Sequence, residues 1–382
     1  MNKNKNALQR GLHFTIDEES RIIFANQLRG FAAFLVVISH WFGVYWGARE
    51  TVAFHTASPI QEGVSPLAYH LVSINPNFGL GPLGVSIFFL ISGFVIPVSI
   101  AKNSARQFLI QRCFRIFPTY WIGLSIGLLC VVCSSKFWNI PLFWNVEIIV
   151  SNYLLLNNIF QIINLDLVSW TLAIELKFYL AVTFLRLPIK EGRVLPIFVF
   201  SCACLLLNLC WTFYLDDHTS NAFLTAIGIL ISELVYVQFM LIGCFFYFGF
   251  QHKISSKKLT VCLIVQFSIF FLSWKYGGLS NSYPVVPKIY LFGFFIFFAS
   301  YTFRRFFRRN IFFDFLAKIS FPVYLIHSLV GYVVIKICMH FGLSFYFAIL
   351  VAMFSVTVIA MVLHETVETS SNNFGKRLSM SS

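Results

Sequence analysis

Residues 81–100 read GPLGVSIFFLISGFVIPVSI and contain no Asp, Glu, Lys, Arg or His. About 20 mostly apolar residues are what an α-helix needs to cross the hydrocarbon of a bilayer. The whole chain of 382 residues has this character, because 58% of it is hydrophobic, 11% is charged and the mean hydropathy is +0.78. Soluble proteins carry roughly 25% charged residues. The composition therefore excludes a cytosolic enzyme, a coiled coil and a disordered chain, and it predicts an integral membrane protein.

Apolar stretches recur along the chain and predict an all-α, polytopic bundle of about ten transmembrane helices. They lie near residues 27–46, 80–101, 115–135, 170–187, 194–215, 227–250, 259–276, 286–303, 319–339 and 344–364. This pattern divides the chain into an N-terminal tail (1–26), a ten-span membrane domain (27–364, with long outer loops at 47–79 and 136–169) and a C-terminal tail (365–382).

Positive charge is distributed unevenly between the loops. With a cytoplasmic N-terminus, 22 of the 28 Lys and Arg residues fall on the inner side and four fall on outer loops. The positive-inside rule then places both termini in the cytoplasm. Because topology accounts for the net charge of +13, the charge does not indicate a nucleic-acid partner. The first twenty residues are polar, so they are not a removable signal peptide, and the amphipathic run 142–160 is expected to lie on the membrane surface.

Cysteine and histidine patterns do not indicate a metal site. The nine cysteines are scattered, and those with close spacing lie within apolar helices, where Cys usually acts as a small hydrophobe. His364 and Glu365 begin like a zinc-protease motif, but Glu368 stands where the second histidine is required. We expect no metal.

The first span, LRGFAAFLVVISHWF (28–42), carries two ionisable residues. Arg29 and His40 are eleven residues apart, which is about three helical turns and ~16 Å of rise, so they share one helix face. Ionisable groups within a membrane are expensive and are candidates for function by default. One face of this helix thus joins an inner anion site to a buried titratable group.

Two carboxylates are expected at the depth of His40. Glu175 in SWTLAIELKFYL (169–180) and Glu233 in ISELVYVQF (231–239) both enter from the outer surface by five or six residues. A carboxylate at that depth can orient and polarise His40 as a general base. The alternative is that either one only ties helices together, by pairing with Lys177 or with a backbone group.

Three further motifs supply candidate site residues. In the second span Gly84, Ser86, Ser92 and Gly93 permit close approach of a helix or a ligand, although packing alone also explains them. Arg112 and Arg115 share a helix face at the cytoplasmic mouth and suit phosphate, and the alternative is a topological anchor. Tyr324 and His327 are adjacent on the ninth span, where the histidine is either functional or a hydrogen-bonded core residue.

In order and spacing, these motifs resemble the acyltransferase 3 family, whose members O-acylate bacterial surface glycans. The resemblance spans about residues 22–368 and rests on these segments: Arg29 with His40, GVSIFFLISGFVI (84–96), the 112–121 block, SWTLAIELKFYL, and ISFPVYLIH (319–327). Two features depart from the family pattern. Leu176 and Lys177 follow Glu175 where another acid or Gln is common, and the terminal acid–base–Pro motif is degraded to VETSSNNF (367–374).

The resemblance implies a function and roles for the residues. An acyl-CoA donor, most commonly acetyl-CoA, enters from the cytoplasm, and a carbohydrate hydroxyl is presented on the other side. Arg112 and Arg115 match the block that holds coenzyme A phosphates, Arg29 helps to position the donor, His40 matches the essential histidine, and Glu175 matches the acidic position. Ser92, Tyr324, His327 and Glu233 are expected to support this site.

The expected activity is therefore O-acetylation of a surface polysaccharide, such as O-antigen or exopolysaccharide, or of a lipid-linked precursor, in the bacterial inner membrane. His40 either takes the proton of the acceptor hydroxyl or itself carries the acyl group. The partners are acyl-CoA, the glycan and membrane lipids, and self-association stays open. Two alternatives without an acyl donor are a lipid-linked glycan flippase or other transporter, and a glycan polymerase.

Overall fold

The computed structural model describes residues 23–73, 75, 78–215 and 221–381. Within these ranges the secondary structure is helical, without strands. The helices in chain order are α1 (Ile23–Gly47), α2 (Arg49–Thr56), α3 (Leu67–Val72), α4 (Leu80–Lys102), α5 (Ala105–Trp138), α6 (Val146–Tyr153), α7 (Trp170–Phe184), α8 (Arg186–Glu191), α9 (Leu195–Cys210), α10 (Ala222–Phe250), α11 (Ser256–Tyr276), α12 (Leu279–Ser282), α13 (Val286–Thr302), α14 (Ile311–Ile326), α15 (Leu329–His340), α16 (Phe345–Leu363) and α17 (Thr369–Ser381). A single 3₁₀ turn, Arg304–Phe306, follows α13.

All ten expected spans coincide with helices, which confirms the all-helical membrane architecture. In the described part of the chain seven helices are long and apolar enough to cross a membrane, and an eighth span is formed if α14 and α15 count together. Helices α7 and α13 have only 15 and 17 residues, which is short for a span. The count of ten and the cytoplasmic termini therefore stay predictions.

Three of the expected boundaries differ in the structure. Helix α1 already includes residues 23–26, which were expected to belong to the N-terminal tail; residues 1–22 of that tail lie outside the described residues. At the other end the helix continues from α16 into α17, so the expected C-terminal tail is helical and packs against α5. The ninth span is broken: α14 and α15 meet at 75° around His327 and Ser328.

Side chains satisfy the backbone at this break. Trp41 Nε1 donates to the His327 carbonyl at 2.9 Å, and the Ser328 hydroxyl donates to the carbonyl of Asp166 at 2.6 Å. Such partners are required, because a polar backbone group left bare inside a membrane costs several kcal/mol. Gly331 allows the Trp41 ring this close, since a Cβ there would lie 2.4 Å from Nε1.

The bundle consists of two groups of helices with α1 in contact with both. One group contains α4, α7, α9, α10, α11 and α13, and the other contains α5, α14, α15, α16 and α17. Small residues set the closest approaches, as expected from the second span: a Cβ on Gly84 would lie 2.7 Å from the Ala32 carbonyl oxygen of α1, and one on Gly93 would lie 1.9 Å from the Met240 oxygen of α10. Gly30 lies where α1 packs on α14, since a Cβ there would lie 3.0 Å from the Ala317 nitrogen.

The two long outer loops pack on each other and enter the bundle. The rings of Phe54 and Phe143 stack at 4.0 Å, with His55 edge-on beside them. Residues 164–169 lie below the surface, and the Asp166 carboxylate there accepts from the N–H groups of Val168 and Ser169. Burial raises the pKa of Asp166. In the expected amphipathic run 142–160 only α6 is helical.

In the described part of the chain three segments depart from α-helical to π-helical geometry. They are Ser39–Val44 within α1, Trp211–Leu215 at the end of α9, and His364–Glu368 between α16 and α17. A π-turn widens the helix by one residue and is found frequently at functional sites.

Candidate active site

His40 lies in the first π-turn, and its ring contacts two side chains of the broken ninth span. Nδ1 is 2.9 Å from the Tyr332 hydroxyl, and the ring stands edge-on to that of His327 at 4.8 Å between centroids. His327 is fully buried, with Nδ1 near the carbonyl oxygens of Val323 and Tyr324 and Nε2 without a partner. The structure thus brings the two sequence-predicted histidines together.

Tyr332 favours one tautomer of His40. Its hydroxyl is also within 3.5 Å of the His40 carbonyl oxygen, which can only accept. Both contacts are satisfied together when Tyr332 donates to this carbonyl and accepts from Nδ1–H. The lone pair then lies on Nε2, which has no hydrogen-bond partner among the described residues, and the imidazole is set to act as a base through that atom.

His40 lines a large chamber, the outer chamber, of about 1680 Å³. Its walls carry carboxylate, amide and phenol groups together with apolar surface. Among the residues of this lining are Asn158, Trp170, Glu233, Tyr236, Tyr290 and Tyr324.

Glu233 lies in this chamber but is paired with another residue. Its carboxylate forms an ion pair with Lys177 of α7 and accepts a hydrogen bond from Asn158 at 3.2 Å. The structure therefore favours the helix-tying interpretation of Glu233, and the predicted contact with His40 is not present.

Glu175 does not contact His40, and the two residues line different cavities, so the structure does not show the predicted orienting contact. Its carboxylate accepts from the hydroxyls of Tyr179 at 2.7 Å and Ser92 at 3.4 Å. The depth of Glu175 in the membrane relative to that of His40 stays a prediction.

Glu175 instead lines a second cavity, the inner cavity, of about 770 Å³ together with all three predicted donor-binding arginines, Arg29, Arg112 and Arg115. Each guanidinium is within electrostatic reach of the Glu175 carboxylate. Arg112 is buried, with its guanidinium over the ring of Tyr179 at 5.6 Å, and its Nε has no partner. Three positive groups against one negative group make this an anion site.

A third cavity, the mouth, has about 1280 Å³ and shares Arg29, Arg115, Ser320 and Phe321 with the inner cavity. It also contains Lys318 and the third π-turn, in which His364 and Glu368 interact at 2.7 Å. The degraded terminal motif around Glu368 therefore lines the mouth.

The inner cavity and the outer chamber also share wall residues, Val85 and Tyr324. The Tyr324 hydroxyl is held by Thr171 at 2.7 Å and by the Val168 carbonyl at 3.1 Å. The mouth, the inner cavity and the outer chamber thus form a series, with arginines at one end and His40 at the other.

Sequence reasoning missed two contributors, Tyr332 and Val85. The hydroxyl of Tyr332 lies inside an apolar helix, which is a recognisable signal, but with 15 tyrosines in the chain it does not single out this one. Val85 has no polar signal at all. Within the described residues, no group of three or more His, Cys, Asp or Glu side chains is placed to hold a metal, and all nine cysteines are free.

Comparison with known proteins adds independent information. The sequence pattern of acyltransferase 3, described as an acyltransferase domain, matches residues 22–364. Nodulation protein 10 of Rhizobium leguminosarum bv. viciae is 40% identical over 53 residues, which is 14% of each chain, so the match spans about one seventh of that relative. No solved structure matches.

Proposed function

Since this chain belongs to the acyltransferase 3 family and is a membrane acyltransferase, we propose that it moves an acyl group from cytoplasmic acyl-CoA to a glycan hydroxyl on the outer side. The proposed group is acetyl, and the proposed acceptor is a cell-surface polysaccharide or its lipid-linked precursor. The proposed location is the bacterial inner membrane.

The observation that carries this proposal is the series of three cavities. Arg29 and Arg115 line both the mouth and the inner cavity, and Arg112 lines the inner cavity. Arginine binds phosphate oxygens with two parallel hydrogen bonds, so these residues suit the phosphates of coenzyme A. A thioester arm that extends inward from this site passes Val85 and Tyr324 to reach His40, while the phosphates stay out of hydrocarbon.

We propose the following reaction in the outer chamber. The unprotonated Nε2 of His40 removes the proton of the acceptor hydroxyl as that oxygen attacks the thioester carbonyl. The carbon–sulfur bond then breaks, and the coenzyme A thiolate takes the proton from the imidazolium. In a second route Nε2 attacks the thioester carbonyl and the coenzyme A thiolate leaves, so that His40 carries the acyl group. The acceptor oxygen then takes the acyl group from Nε2, and the acceptor proton passes to the thiolate, which gives the same products.

The remaining site residues have supporting roles in this scheme. His327 packs against the His40 ring and limits its rotation, and Tyr324 stands between the two cavities. Ser92 and Tyr179 hold the Glu175 carboxylate among the arginines. Glu175 is thereby proposed to shape the donor site and balance its charge.

The test is acyl transfer by the purified protein in nanodiscs, supplied with radiolabelled acetyl-CoA and candidate glycans. We expect label in the glycan, and we expect His40→Ala to abolish it while acetyl-CoA binding persists. Undiminished transfer by His40→Ala would remove this residue from the mechanism. Transbilayer movement or chain extension of a lipid-linked glycan without acetyl-CoA would support a flippase or a polymerase instead.

The donor site has its own test. Arg112→Ala combined with Arg115→Ala should weaken acetyl-CoA binding in a salt-sensitive manner, because charge pairs with phosphate are lost. Arg305→Ala combined with Arg308→Ala is the matched control, since these arginines lie near the membrane surface outside all three cavities. If both double variants bind acetyl-CoA with equal affinity, Arg112 and Arg115 do not bind the donor and act only as topological anchors.

Glu175→Gln separates the two roles considered for this carboxylate. If Glu175 shapes the donor site, the variant changes the KM for acetyl-CoA more than it changes kcat. A fall in kcat alone would revive a direct link to His40.

A further inference from the structure

A side cavity of about 580 Å³ adjoins the outer chamber and lies between α9, α10 and α12. The two spaces share Ile229, Ser232 and Leu279 as wall residues. Beyond this shared wall the side cavity is lined by one amide, one indole, hydroxyls and glycines. These are Asn208, Trp211, Thr212, Thr225, Gly228 and Gly278.

Two polar atoms in this lining are buried without a hydrogen-bond partner, Asn208 Nδ2 and Thr212 Oγ1. The Asn208 side chain belongs to a residue that is only 2% exposed. A buried polar group without a partner loses its hydration and is normally rare, so each such group calls for an explanation. A hydroxylated ligand in the side cavity would supply the missing partners.

The local backbone supports the same conclusion independently. Trp211 and Thr212 lie in the π-turn that ends α9. The two other π-turns of the described chain place His40 in the outer chamber and His364 with Glu368 in the mouth. Each of these three π-turns thus contributes side chains to a cavity wall, as expected if each re-aims side chains toward a bound substrate.

The chemistry of the lining restricts the ligand. Among the described residues that line the side cavity there is no Asp, Glu, Lys, Arg or His, so they offer a phosphate or carboxylate no counter-charge. Amide and hydroxyl groups beside the indole of Trp211 suit a neutral ring that has both hydroxyls and an apolar face. The side cavity adjoins the outer chamber that His40 lines, because the two spaces share wall residues.

We infer that the side cavity is a subsite for a neutral sugar ring of the acceptor, and this inference rests on the proposed function. Asn208 and Thr212 form hydrogen bonds to ring hydroxyls, and Trp211 packs against the ring. The subsite holds one unit of the glycan while the hydroxyl of a neighbouring unit meets His40. It thereby selects the acceptor without taking part in the chemistry.

The test measures binding without acetyl-CoA, using tritiated chitotetraose and maltotetraose and the protein in nanodiscs. The variant Asn208→Leu with Thr212→Val removes both polar groups at nearly constant volume. We expect it to bind the preferred oligosaccharide about 30-fold more weakly, as for the loss of two neutral hydrogen bonds. Thr260→Val is the matched control, because that exposed hydroxyl bonds only to Ser256 of its own helix, and it should bind as the wild type does.

Thermal stability distinguishes binding from a structural role. Because the two atoms have no partners, their apolar replacements should leave Tm unchanged or raise it while binding weakens. Thr225→Phe fills the side cavity instead and should also abolish binding, which keeps the test valid if the double variant fails to fold.

The outcomes separate this inference from the proposed function. The subsite is overturned if both cavity variants bind the oligosaccharide as tightly as the wild type does. It is also overturned if the wild type binds neither oligosaccharide. Acetyl transfer with an unchanged acceptor KM in the double variant also overturns it, although the acyltransferase function then stands. Loss of binding in the variants supports the subsite even where no acetyl transfer is detected.

Discussion

Replacing Tyr332 with phenylalanine removes one oxygen atom from the environment of His40 and leaves the packing of the ring intact. Tyr332 is fully buried, so water does not replace its hydroxyl. The 2.9 Å contact with Nδ1 is lost, and the tautomer with the lone pair on Nε2 is no longer favoured. Leaving a buried N–H without an acceptor costs about 1–3 kcal/mol. If that penalty applies to the reactive tautomer, kcat falls by about 5- to 160-fold.

The assay is acetyl transfer at saturating acetyl-CoA, with acetyl-CoA binding measured in parallel. Tyr332→Phe should lower kcat and leave donor affinity unchanged, because Tyr332 does not line the inner cavity. Tyr301→Phe is the control, since it removes a phenolic hydroxyl from a buried aromatic cluster outside the cavities. A kcat within twofold of the wild type in a folded Tyr332→Phe protein would refute the tautomer argument.

Three other predictions concern the scaffold. Burial lowers the pKa of His55 to about 4, so as pH falls the unfolded chain binds a proton at this residue before the folded chain does. The stability of the outer loops should therefore fall as pH drops from about 6.5 toward 4. Hydrogen exchange should show this loss, and His55→Phe should remove it. Lys177→Met and Glu233→Gln should each lower Tm by more than half of the decrease seen in the double variant, because each single change leaves the partner side chain unpaired. Thermal unfolding of all three variants measures this coupling. Gly93→Ala should lower Tm strongly, because the added methyl group forces α4 away from α10. Gly278→Ala is the control and should leave Tm unchanged, because the space around this residue is open. Equal Tm values for the two variants would contradict the packing account.

Helix positions were predictable because hydropathy is a local property. Each apolar stretch must form its backbone hydrogen bonds within itself in lipid, so ten stretches gave helices at the expected places. The break at His327 was not predictable in this way, since both of its halves are apolar. It depends on partners distant in sequence, namely Trp41 and Asp166, which satisfy the exposed carbonyl and hydroxyl groups.

The site was predictable in its residue types and less so in its pairings. An ionisable residue inside an apolar stretch is easily recognised in the sequence, so Arg29, His40 and the two arginines of α5 were identified directly. Assigning Glu175 to His40 required knowing which cavity each residue lines, and that depends on how the helices pack. The resulting groups are Glu175 with the arginines and His40 with Tyr332.

The linear chain by itself thus determined that this is a helical membrane protein with intramembrane arginines and one intramembrane histidine in its first span, because lipid imposes its length and polarity rules on each segment separately. Tertiary structure alone decided that the arginines and His40 line different cavities in a series that shares wall residues, and that a tyrosine from a broken helix contacts the histidine. The physical reason is that cavities and hydrogen bonds between helices depend on crossing points, glycine contacts and loop depth, which no single segment contains.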